Sequence, residues 1–364
     1  MKHLNTYITE YIIKKKLDEP IDSEYQYHPN SKEKLTKNIQ ELISNKIYDF
    51  NCIDTSEITD MSNLFGDIVN NINKINFDVS KWDVSNVTNM SSMFGGCESF
   101  EGNGIENWNI TNVESIEEMF AICLKLNIDF SNWNVRNIRN FENIFYNCES
   151  LEGKGFDKWN VSKAVNTKGM FQGCKNLDFD LSKWNISKLK SIKSMFSGCE
   201  KFTGKGLENW DVSNVENMKY MFYSCKDFDC DLSSWDVSKV THMDNMFDGC
   251  NKFEGKGLEN WDVSNVEVSS FMFLKCENLN CDLSKWDVRN IIRMSSMFSY
   301  CKKFDGKSIE NWDVSNVVSA RNMFYKCENL DCDLSNWDVS KVKDKGMMFY
   351  GCIALKNKPS WYKE

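Results

Sequence analysis

Tryptophan returns along this chain at a fixed step. From Trp82 and Trp108 through to Trp337, eleven tryptophans follow one another at alternating intervals of 26 and 25 residues, and only Trp361, 24 residues further on, departs from the step. A unit this short cannot bury its apolar side alone, so its copies must stack on one another. The repeat therefore predicts a solenoid of about twelve coils, built from two alternating kinds that make a 51-residue pair.

Counted from each Trp, the columns are strict. One residue on is always Asp or Asn, and two on is always Val or Ile. The eleventh position is Met in every copy except Ile144, the twelfth is always Phe (Phe94 to Phe349), and the fifteenth is always Cys (Cys97 to Cys352). An enzyme has no use for eleven copies of one site. A stack needs eleven copies of one core position.

Apolar residues at positions 5, 8, 11, 12 and 15, as in Val215, Met218, Met221, Phe222 and Cys225, have the spacing of a short helix with one buried face. Ser213 or Ser238, three after the Trp, stands where a helix cap belongs. Beyond the Cys, Phe228, Cys230 and Leu232 alternate with Asp229, Asp231 and Ser233, which reads as a strand. The expected fold is an α/β repeat solenoid, a right-handed stack about 55–60 Å long with one short helix and one short strand per coil. Every second coil carries an extra residue within "GKGL", "GKGF", "GNGI" or "GKSI" before its Trp, and this predicts a bulge there.

The phrase "W(D/N)VSNVxxMxxMFxxCxxF", in register over roughly residues 53–355, resembles the BspA-like repeats and the Mycoplasma surface-lipoprotein-type (PARCEL) repeats. The resemblance implies a leucine-rich-repeat-like solenoid with a role in surface binding or adhesion and no catalytic activity. This chain departs from that pattern in having no signal sequence and no lipid-attachment cysteine, its first Cys being Cys52. Members without such signals include virus- and phage-encoded ones.

The ends read as caps. Residues 1–50 form an N-terminal helical cap or docking segment and 51–364 the repeat solenoid, with a degenerate first coil at 53–81 and a C-terminal cap at 356–364. Leu35, Ile39, Leu42 and Ile43 share one helical face able to cover the open end of the stack, and residues 4–17 make a second amphipathic stretch. At the far end Pro359 and Trp361 close the last coil.

Charge excludes some partners. The net charge is −9, and residues 1–50 hold eight basic and eight acidic side chains, so the excess lies on the array. Nucleic acid is not expected as a partner, because phosphate binding needs a basic stripe. No stretch approaches the ~18 apolar residues of a membrane span.

Fifteen cysteines raise disulfides and zinc as alternatives. Coils about 4.8 Å apart bring neighbouring Cys residues within disulfide reach. Yet the column has eleven members, and two neighbours compete for each interior one. Cys230, Cys281 and Cys332 stand where earlier coils have Phe77, Ile128 and Phe179, as hydrophobes would. Reduced core thiols are the expectation, and they favour a cytoplasmic setting, in a host cell or in a virion if the chain is viral. The Asp/Asn column suits Asx-turns better than a calcium ladder. His3, His28 and His242 are scattered, and no nucleophile elbow or phosphate loop occurs. No enzyme activity, metal or cofactor is expected.

What remains is the exterior. Between residues 82 and 355 the tyrosines are Tyr146, Tyr220, Tyr223, Tyr300, Tyr325 and Tyr350, all 10, 13 or 14 positions after a Trp. On a helix these columns point away from the Met-Phe-Cys face, and tyrosine suits a recognition surface. The chain reads as a protein-interaction or adhesion scaffold for a protein or cell-surface ligand. The alternative is a structural spacer docked through residues 4–17.

Overall fold

The computed structural model describes residues 25–363. The amphipathic stretch at 4–17 lies outside them. From Ile53 onward the chain winds into stacked coils around one continuous apolar core, in which the Trp, Val, Met, Phe and Cys columns are buried. The Phe column is a ladder of near-parallel rings. Phe94–Phe120, Phe120–Phe145, Phe145–Phe171 and their successors to Phe349 lie 5.5–6.2 Å apart.

The coils are not built as expected. Between positions 8 and 15 there is no α-helix but a run of turns. In the coil of Trp210, Met221 N–H donates to Met218 O, Tyr223 to Tyr220 O, and Cys225 to Phe222 O, each closing a three-residue step. The amides between them leave the coil. Met218, Tyr220, Phe222 and Ser224 donate to the carbonyls of His242, Asp244, Met246 and Asp248 in the next one. The turn amides of this coil are thus shared between bonds within the coil and bonds to the next.

Backbone handedness explains why no helix forms. Position 10 has a positive φ of 52–62° in all eleven coils, whatever the residue, and position 14 one of 57–80°. A left-handed residue stops an α-helix, but it is what a type II turn needs at its third position. The spacing of apolar residues is the same for both, because turns of three residues also return to one side.

The expected strand after the Cys is likewise absent. Coils pair instead through single parallel bridges at position 7, as in Asn217 with His242 and His242 with Val268. Nor does Ser213 cap a helix, because its own N–H and Oγ donate to Asp211 Oδ1 at 3.1 and 2.6 Å. The extra residue of alternate coils forms a 3-10 turn rather than a bulge, for example Leu207–Asn209 and Leu258–Asn260. At its start Gly206 has φ +91°, and a Cβ there would sit 2.3 Å from Ser182 N. Only glycine fits that approach.

Helix α1 (Lys32–Ser44) buries Leu35, Ile39 and Leu42, half-buries Ile43, and is capped by Ser31, whose Oγ accepts from Lys34 N. A second short helix, α2 (Val69–Ile72), belongs to the degenerate first coil. At the other end Pro359 is buried, and Trp361 Nε1 donates to Leu334 O at 2.8 Å.

Candidate functional site

The recurring polar residues hold the stack together. Each Asp or Asn after the Trp accepts the N–H two residues on, as Asp236 does from Ser238 at 3.0 Å. These are Asx-turns, and their oxygens are engaged. Each Trp indole from Trp133 to Trp361 donates to a carbonyl in the preceding coil, as Trp235 does to Leu207 O at 2.9 Å. Trp108 Nε1 is buried without such a partner.

The cysteines are free thiols. Ten of the column, Cys123 to Cys352, point Sγ at the Phe carbonyl of the coil before, as Cys225 does toward Phe196 O at 3.1 Å. Burial pushes the Cys97 thiol up to about 12 and raises the other thiols of the column as well, so thiolate chemistry is suppressed. Among the described residues no group of His, Cys, Asp and Glu converges as metal ligands would. No helix among them is long and apolar enough to cross a membrane.

The tyrosines lie on the turn face, at the left-handed positions 10 and 14 and at position 13 between them. Tyr220, Tyr223 and Tyr350 are exposed and Tyr300 and Tyr325 half-buried, because the turns present these side chains outward, rather than through a helical wheel. Tyr220 and Tyr223 meet edge to face at 6.0 Å. Tyr300, Tyr325 and Tyr350 form a ladder over three coils, at 5.5 and 5.1 Å, with the Lys326 ammonium 5.3 Å from the Tyr300 ring. Tyr146 is half-buried and stands in neither group.

The structure also brings forward residues that the repeat pattern did not mark. Positions 10 and 13 of consecutive coils line an open concavity of about 590 Å³ that includes Tyr220, Tyr223, Asn245, Asp248, Phe271 and Leu274. Asp248 is 8 % exposed, and burial raises its carboxyl to about 6 although Lys275 pulls the other way. Its column is otherwise variable, so no periodic signal could single it out.

Near-identical coils on one continuous core, closed at one end by a helix, define a repeat solenoid. The chain belongs to the family described as Mycoplasma protein of unknown function, DUF285, which matches residues 33–156, 139–257 and 243–362. That is the Mycoplasma-type repeat family its recurring phrase resembles. No curated protein matches the chain. Among solved structures it is similar to an LRR protein of Leptospira interrogans at 9% identity, covering 78% of this chain and 72% of that one with a TM-score of 0.22. So loose a likeness has no bearing on function.

Proposed function

We propose that this solenoid is a non-enzymatic scaffold that recognises a protein partner along its turn face. The observation that supports it is the ladder of Tyr300, Tyr325 and Tyr350. It runs into Met347 and Ile353, which are 54% and 81% exposed. The Trp, Phe and Cys columns are committed to stacking, whereas these side chains hold nothing in the core. Aromatic and methionine surface edged by a cation is the composition of a protein interface. Adhesion to a cell-surface ligand is the form of this role that the family resemblance suggests.

A photo-crosslinking residue at position 325 of the full chain, exposed to cell-surface and cytosolic extracts, tests the reading. A protein captured there should bind the triple variant Tyr300→Asn, Tyr325→Ser, Tyr350→Ser at least about tenfold more weakly, with little change in Tm. Equal affinity of the triple variant would place recognition elsewhere.

A further inference from the structure

A second region of the turn face has a different chemistry. Residues at positions 10 and 13 of four successive coils make pairs: Ser194 with Ser197, Tyr220 with Tyr223, Asn245 with Asp248, and Phe271 with Leu274. Ser224 N–H donates to Asp248 O and Gly249 N–H to Leu274 O, so Asp248 sits between Tyr223 and Leu274. Two apolar walls therefore flank a polar floor. They are two coil steps apart, and at about 4.8 Å per step of directly hydrogen-bonded coils the walls stand roughly 10 Å apart. Tyr220, Tyr223 and Phe271 are each 38% exposed.

The polar side chains here are idle. Elsewhere on the stack they bridge coils, as Lys219 does to Asp244 and Ser295 to Ser319. Among the described residues, the side chains of Ser194, Ser197, Asn245 and Asp248 neither bridge coils nor take a hydrogen bond or ion pair from any protein group. For Asp248 this matters most, since it is more than nine-tenths buried and lines the concavity. Its oxygens keep accessible surface in the concavity, where a ligand hydroxyl can replace water as the donor.

Charge narrows what that donor is. Lys193 lines the same concavity and Lys275 adjoins Asp248, so a cation meets two ammonium groups. An anion meets the carboxylate. A neutral ligand with an apolar face and several hydroxyls conflicts with neither: the rings take the face, while Asp248 accepts from hydroxyls and Asn245 both donates and accepts. We propose that this concavity is a binding site for a neutral saccharide, one pyranose unit seated between the Tyr220/Tyr223 wall and the Phe271/Leu274 wall. The site is separate from the Tyr300–Tyr350 ladder and does not depend on it.

Titration of the full chain with maltotriose, cellotriose, chitotriose and N-acetyllactosamine, followed by saturation-transfer NMR, tests the proposal. At least one should bind, and Asp248→Asn and Tyr223→Ser should each weaken it by about tenfold or more, while Tyr325→Ser leaves it unchanged. Tyr220→Asn is the control for folding, because Asn already occupies the same left-handed position at Asn143, Asn245 and Asn322. It should bind less and melt no lower. No binding by any of the four at 10 mM would overturn the proposal, as would binding that survives Asp248→Asn. An arginine-containing peptide that binds here through Asp248 while the sugars do not would also overturn it. The ladder's protein partner can be present or absent in any of these outcomes.

Discussion

The Phe196 carbonyl receives two donors, the Cys199 amide within its own coil and the Cys225 thiol from the next. A cysteine in this column is therefore a small apolar filler that also donates across coils, a combination that Ala and Val lack. Cys225→Val keeps most of the volume and loses the donor, and should cost about 1 kcal/mol by chemical denaturation. Asp248 supplies a second prediction at this scale. Its carboxyl is near the ordinary 3.8 when unfolded and about 6 when folded, so the folded chain holds the proton more tightly. Its contribution to stability is full below about pH 4 and is lost as pH rises through about 6. Other carboxylates, such as Asp180 and Asp231, are shifted down to about 2 and act oppositely, so the effect must be read as a difference between proteins. Asp248→Asn should gain on the parent between pH 4 and 7, by up to about 2 kcal/mol. A constant difference across that range would show that the carboxylate is solvated when folded.

Each coil is a chain of turns whose left-handed positions do not all tolerate the same residues. Position 14 holds Gly in five coils but Tyr300, Lys275 and Ile122 in others, so Gly198→Ala should cost only about 1 kcal/mol. Gly206 adds a collision with backbone to its positive φ, and Gly206→Ala should cost about 3 kcal/mol. Thermal melts of the two variants compare them directly. The stacking columns, the alternation of 25 and 26 and the capping helix were all legible in the sequence, because burial imposes one residue type on every copy. The turns were not. Met218, Met221, Phe222 and Cys225 have a spacing that helix and turns share, and the distinguishing residues stand in loosely kept columns. Asn and Ser at position 10 and Gly at position 14 were the available signal. Tyr220, Tyr223 and Tyr350 were readable as exterior, Tyr146, Tyr300 and Tyr325 are half-buried, and the environment of Asp248 was not readable, since it depends on which side chains flank it one coil away.

Across the whole molecule stability passes from coil to coil, since each coil contacts mainly its two neighbours. Phe222 lies between Phe196 and Phe247 in the middle of the ring ladder, and Phe222→Ala should cost about 3–5 kcal/mol and divide unfolding into separable steps. Phe349 has one ladder neighbour, Phe324, and is otherwise covered by Trp361 and Tyr362. Phe349→Ala should loosen only the last coils, seen as faster amide exchange there and not near Phe94. The central claim is that a stack of turns, and not of helices, presents positions 10 and 13 for recognition. Measuring φ by coupling constants and Cα shifts at Tyr220, Ser224, Asn245 and Gly249 in a deuterated sample tests it most directly. The account predicts values near +58°, +57°, +55° and +79°. Values near −63° at these four residues, those of an α-helix, would contradict it.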